Sequence, residues 1–196
     1  MHLHTAPRDV TRRAGLTLMD SHPTRVLRDE HQLILAVVGA LEGHLEAAVL
    51  DHPAIERCVR FFRLFADACH HGKEEDLLFP ALQECGLPGD SGPIAVMLHE
   101  HRLGREQVAA MARALPGSQA GDAADRARLV HAGRAYVDLI RNHIGKEDEV
   151  LFNMADQMVV GPLRAGLCAA YDATCDHSFE GCTKAQLESL AQEILH

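Results

Sequence analysis

The chain has no tryptophan and few other aromatics, two tyrosines and six phenylalanines in 196 residues. At 4% aromatic content it cannot offer a base-stacking surface. Excess positive charge is also missing. The formal net charge is -9 with histidine neutral, which excludes the basic face that nucleic acid or an anionic membrane requires. Long apolar runs are absent too. The longest, Leu33–Leu41, is interrupted by Gly39 and is too short to span a bilayer. The six cysteines include no C-x-x-C pair, and no apolar segment follows Arg12 and Arg13. The expectation is therefore reduced thiols in a cytoplasmic protein, not a disulfide framework or an exported chain.

What remains is an ordinary soluble composition, 47% hydrophobic and 24% charged, long enough for one domain with a sizeable core. Its anomaly is fourteen histidines. Metal ligation is the commonest reason for such an excess.

Two of those histidines lie in a phrase that occurs twice. Residues 70–79 read H-H-G-K-E-E-D-L-L-F and residues 143–152 read H-I-G-K-E-D-E-V-L-F. His70 with Glu74, and His143 with Glu147, are i,i+4 pairs that share one helical face. A fainter repeat sets Glu30-His31-Gln32 against Glu100-His101-Arg102. The chain thus reads as two helix hairpins related by a pseudo-twofold axis. Each gives one histidine from its first helix and a His-x-x-x-Glu from its second.

Apolar periodicity places these residues on inward stripes. The first helix begins near Pro23 with Leu27, Ile34, Val38, Leu41 and Leu45 inside; the second carries Val59, Phe62, Ala66, Leu77 and Ala81. The third follows Pro93 with Ile94, Leu98, Val108, Ala112 and Leu115. The fourth, capped by Asp122 or Asp125, has Leu129, Ala132, Tyr136, Leu139, Val150 and Met154. Residues 86–92 and 116–121 read as loops. The predicted fold is all-α: an up-down-up-down antiparallel four-helix bundle with short C-terminal helices. Its divisions are an arm over 1–20, the bundle over 21–160 and a helical extension over 161–196, with a loop over 176–181.

His31, His70, Glu74, His101, His143 and Glu147 then face one another. Four imidazoles and two carboxylates suit iron, manganese or zinc. Two bridging carboxylates would hold two metals about 3.5 Å apart. The other i,i+4 register, His71 with Glu75, lies about 100° around an ideal helix and is disfavoured. Lys73, Lys146 and Asp148 read as exposed charges, and His99 as a surface residue. Phe79 and Phe152 read as core. Cys168, Cys175 and Cys182, spaced by seven with His177 nearby, are a weaker candidate for a zinc site or redox switch.

The D-E-H at 29–31, H-H-G-K-E-E-D-L-L-F-P-A-L at 70–82, H-E-H-R at 99–102 and H-I-G-K-E-D-E-V-L-F at 143–152 together resemble the hemerythrin-like, HHE cation-binding family. The resemblance runs from about Pro23 to Met158. It implies an oxo- or hydroxo-bridged centre of two iron ions, with zinc or manganese as the less favoured metals. The family's oxygen carriers have a third-helix H-x-x-x-H, where this chain has Met97 before His101. They also use an Asp five residues after the fourth-helix His, a spacing that Asp148 has. Four His and two Glu, with Glu100 before His101, resemble instead the subgroup implicated in repair of iron–sulfur centres. That subgroup's small cysteine-bearing N-terminal domain is not expected here. The implied function is a non-haem di-iron protein that binds or reacts with O2, NO or peroxide in stress response or iron homeostasis. Its partners would be the small ligand and an electron donor or iron-recipient protein. An iron storage, delivery or sensing module without turnover is the alternative, and a structural zinc or manganese bundle is a third reading.

Overall fold

A computed structural model describes residues 22–175 and 178–196. The expected arm over 1–20 lies outside the described residues, as does His177. Six helices carry the fold, and no closed sheet is present among the described residues. Helix α1 is Arg25–Glu46. Helix α2 runs over 52–84 without a break, through His52–Phe61, Phe62–His71, Glu74–Leu78 and Phe79–Glu84. Helix α3 is Gly92–Gln119. Helix α4 runs over 123–158, through Ala123–Lys146, Glu147–Leu151 and Phe152–Met158. These four make the antiparallel bundle: α1 packs on α2 and α4, and α3 packs on α2 and, most extensively, on α4. Helix α5 (Gly161–Cys175), a small hairpin pairing Ser178–Phe179 with Cys182–Thr183, and helix α6 (Lys184–Leu195) follow.

Local chemistry sets the helix ends. The Asp51 carboxylate accepts from the Ala54 N–H at 3.0 Å, one residue after a favourable early proline. Asp122, not Asp125, caps α4, accepting from the Asp125 N–H at 2.8 Å. Gly121 takes φ +89 between α3 and α4, a conformation that costs glycine nothing. Gly133 permits close helix approach, because a Cβ there would lie 2.5 Å from Leu45 Cδ1.

Two expectations are corrected. Residues 116–119 are helical, not looped: α3 passes through Pro116 and buries Leu115 and Ser118. The Ser118 hydroxyl, 2.9 Å from His52 Nε2, ties that turn to the start of α2, and packing overrides the proline. The inward stripes also slip by one residue. Leu78 and Leu151 are buried, whereas Leu77 is half-buried and Val150 is 51% exposed. Both helices make a π-wound stretch at these points, Glu74–Leu78 and Glu147–Leu151. The wider i→i+5 turn absorbs one extra residue and moves the next apolar position inward. A third stripe differs at Met111, which is buried where Ala112 is exposed.

Two apolar cores result. One, including Val38, Phe62, Phe65, Met111 and Ile140, fills most of the bundle; the other, including Leu27, Leu78, Phe79, Met97 and Phe152, fills the end covered by α5. The candidate ligands lie in the layer between them. No described helix is long and apolar enough to cross a membrane.

Candidate metal centre

His31, His70, Glu74, His101, His143 and Glu147 are all buried, at 2% exposure or less. Their donor atoms converge. Glu74 Oε1 lies 3.4 Å from His70 Nε2, and Glu74 Oε2 lies 3.4 Å from His101 Nε2. One carboxylate therefore faces an imidazole of each hairpin through a different oxygen, the posture of a bridging ligand. Glu147 Oε2 lies 3.3 Å from His31 Nε2 and 3.2 Å from His143 Nε2, and its Oε1 lies 3.9 Å from His101 Nε2.

A seventh residue joins them, against the sequence expectation. His71 is 4% exposed, and its ring stacks on His101 with centroids 3.8 Å apart. Donor atoms of His71, Glu74, His101 and His143 lie within 4.8 Å of one another, as do those of His31, His70, Glu74 and Glu147. The cause is the π-wound stretch Phe62–His71. It turns less per residue than an α-helix, so adjacent His70 and His71 both reach the interior. The expected symmetry is thereby broken: two imidazoles lie on one side and three on the other. The signal was present in the repeat itself, where Ile144 stands in the place of His71. Glu75 does not face the cluster with His71. It lies behind His101.

The outer ring keeps the pseudo-twofold pattern. His70 Nδ1 donates to Glu30 at 2.9 Å and His143 Nδ1 to Glu100 at 3.0 Å. His31 Nδ1 donates to Asp148 at 2.9 Å and His101 Nδ1 to Glu75 at 2.7 Å. A carboxylate only accepts, so in the neutral ring each of these bonds leaves the Nε2 lone pair directed inward, as metal-binding imidazoles require. Each acid stands next to a predicted ligand in sequence: Glu30 before His31, Glu100 before His101, Glu75 after Glu74, Asp148 after Glu147. One step along a helix turns the side chain toward the neighbouring helix, where it meets the back of that helix's histidine.

Lys73 is not an exposed charge. It is 1% exposed and donates to Glu30 at 2.5 Å, with Cys69 Sγ at 3.6 Å. Its counterpart Lys146 pairs with Glu100 but stays half-exposed. On the Glu30 side α6 adds a second cation, Lys184, which also reaches Glu30, at 2.7 Å. Asp148 is likewise engaged through His31, and His99 is exposed. Phe152 stacks on His31 at 5.2 Å and Phe79 on His101 at 5.9 Å, so the paired phenylalanines cover the layer from below. A cavity of about 440 Å³ between α2 and α3 ends on His71, beside Arg105, which donates to both Asp67 and Glu75.

The electrostatics are those of carboxylates and imidazoles buried together. Burial, then the Glu147 charge, pushes the Glu74 carboxyl well above its usual range. Burial also opposes ionisation of Glu147, but the His143 charge and the closeness of the His143 and His31 rings outweigh it and keep its carboxyl below the usual range. His143 is raised to about 9: burial opposes its charge, and Glu147 and Glu100 restore it. Burial lowers His70 to about 4 and His71 well below its ordinary value. The four carboxylate oxygens of Glu74 and Glu147, with His31 Nε2, have no hydrogen-bond partner. Such atoms are costly to bury. Cations among them would satisfy all five, and nitrogen and oxygen donors of this kind fit iron, manganese or zinc. Neither cluster of potential ligands among the described residues includes a cysteine; the Cys175 side chain and His177, on which the expected cysteine site depends, lie outside the described residues.

No curated protein and no solved structure matches the chain. A family model does, that of the hemerythrin HHE cation binding domain, over residues 22–155, about two-thirds of the length. With an all-α bundle whose buried layer gathers five imidazoles and two carboxylates, the chain belongs to the hemerythrin HHE cation-binding family.

Proposed function

We propose that the chain is a non-haem di-iron protein that binds or reacts with dioxygen, nitric oxide or peroxide. In this reading His31 and His70 would hold one iron, His71, His101 and His143 would hold the other, and Glu74 and Glu147 would be shared between them. The observation that carries it is the pair of four-residue donor sets sharing Glu74. With both carboxylates shared, the three-imidazole side would have five donors, more than the four of a closed structural zinc site. The two-imidazole side would have four and so would leave room for an added ligand. When bound, the metal pair supplies the redox chemistry toward the small ligand. The protein orients the imidazoles through Glu30, Glu75, Glu100 and Asp148, and excludes water with Phe79 and Phe152.

Anaerobic loading with ferrous iron is expected to give two metals per chain, and exposure to oxygen or nitric oxide a change in the absorption spectrum. A single metal, or no spectral change, would overturn the reading. Loading must displace protons from His143 and Glu74, so apparent affinity should rise with pH toward about 9, where His143 loses its own proton.

His71→Leu isolates the asymmetry. The variant should bind one metal as before and the second more weakly by over a hundredfold, beyond the roughly 10–100-fold that outer hydrogen-bond partners command. Two undiminished metals would remove His71 from the ligand set.

One observation favours the second reading, an iron-sensing module. Lys184 links α6 to Glu30 and so to His70. Proteolysis of α6 that differs between the metal-free and loaded forms, with no turnover of peroxide, would support sensing over reaction.

A further inference from the structure

We propose that the Tyr171 hydroxyl is the hydrogen-bond donor for the small ligand taken up on the His31–His70 side of the centre. The inference rests on the two-metal reading above and adds a residue from outside the segment that matches the family.

Among the described residues, six buried side-chain polar atoms lack a hydrogen-bond partner. Five belong to His31, Glu74 and Glu147, and the sixth is the Tyr171 hydroxyl oxygen. Tyr171 is 1% exposed, and an unpartnered hydroxyl so deep is a cost the fold has no structural reason to keep. Its place gives the reason. Helix α5 packs on the Glu74–Leu78 stretch, and Tyr171 shares an apolar cluster with Leu27, Leu78, Phe79 and Phe152, the residues that floor the ligand layer.

Its surroundings also choose a side. After burial, the charges that act on the phenol are those of Glu74, Cys168, Glu30 and Asp156, and together they keep it protonated and a donor. Glu30 holds His70, and Asp156 accepts from Thr24 at the start of α1, one turn and more below His31. These belong to the two-imidazole half. That half has two imidazoles where the other, with His71, has three, so with both carboxylates shared it would hold the smaller donor set. On the two-metal reading the open coordination position falls on this half, and the buried, unpartnered O–H of Tyr171 is the donor assigned to it. A small ligand with a lone pair or a negative charge, such as azide, nitric oxide or dioxygen, has the acceptor such a donor needs.

The test compares wild-type protein and Tyr171→Phe, each loaded with iron and oxidised, with azide as the probe. Both should retain two metals per chain. The azide dissociation constant of Tyr171→Phe should rise about tenfold, the loss of one hydrogen bond to a charged acceptor. Without metal, the variant's thermal midpoint should stay the same or rise, because an unpaired hydroxyl has been removed. Equal azide affinity would overturn the proposal. So would a lower metal-free midpoint, which would make the hydroxyl a structural group. So would a visible charge-transfer band present only with Tyr171, which would make it a metal ligand. If wild type itself fails to take two metals, the two-metal reading and the inference resting on it fall together. Two metals with unchanged azide affinity sinks the inference alone.

Discussion

Glu74→Leu is expected to stabilise the metal-free protein by about 1–3 kcal/mol, the cost of burying a carboxyl without partners, while removing its capacity for a pair of metals. Both Glu74 oxygens are buried and unpartnered, and Glu147 adds a second acid to the same layer. An apolar residue of similar volume escapes both penalties. The sign of the pH dependence follows. The folded-state pKa of Glu74 lies above the ordinary 4.5, so above that pH the unfolded chain gives up a proton that the folded chain retains. The wild-type protein therefore loses stability on this account as pH rises from about 4.5, and Glu74→Leu does not. The gap between the two should be small near pH 4 and widen toward neutrality. Denaturant unfolding in chelator reads the stability, and elemental analysis reads the metal. A variant that is less stable at pH 7, or that still binds two metals, contradicts the bridging role. The exchange of stability for a reactive site is the usual relation between the two.

Glu30→Leu should act in the opposite direction and more strongly. Glu30 is 4% exposed and answers Lys73, which is 1% exposed. Burial opposes its ionisation, yet the His70 hydrogen bond and the nearby charges of His70, Lys73 and Lys184 hold its carboxyl below the ordinary range. Without it Lys73 is a buried charge with no counter-charge, a loss of about 3–5 kcal/mol. Lys184 is closer to solvent, at 16% side-chain exposure, and contributes little to that loss. His70 also loses its Nδ1 acceptor, so metal affinity should fall about 10–100-fold. The double variant Glu30→Leu/Lys73→Met separates the two effects. Replacing both charges by apolar groups should recover most of the stability, while affinity stays low because His70 is still unheld. Recovery of affinity in the double variant would mean that Glu30 acts on the fold and not on the ligand.

Much of the architecture was legible in the chain. The duplicated His-x-x-x-Glu phrase and the echo of Glu30-His31 in Glu100-His101 announce a two-hairpin bundle, because apolar stripes repeat with the helical period and the histidines fall inside them. The convergence of His31, His70, Glu74, His101, His143 and Glu147 follows from that periodicity and needs no coordinates. Where the reading failed, the ideal helix failed. A fixed 100° per residue turns His71 away and puts Leu77 and Val150 inside. The π-wound stretches at Phe62–His71, Glu74–Leu78 and Glu147–Leu151 bring in His71, Leu78 and Leu151 instead. No local propensity announces such stretches. They persist because bundle packing and the inward-facing donors reward them.

Charge was the other blind spot. Lys73 and Lys146 occupy equivalent places in the repeat, yet only Lys73 is a fully buried partner of its acid, on the side where α6 adds Lys184. Tyr171 is similar: nothing near it in sequence tells that its hydroxyl is buried without a partner. By itself, then, the sequence determined the bundle, its pseudo-twofold and the six polar residues on its inner faces, since these depend on patterns within single helices. Only the tertiary structure decided the asymmetry through His71, the buried Glu30–Lys73 pair and the part played by the C-terminal helices. Those depend on what one helix places against another, and on how far a helix departs from its ideal turn to meet it.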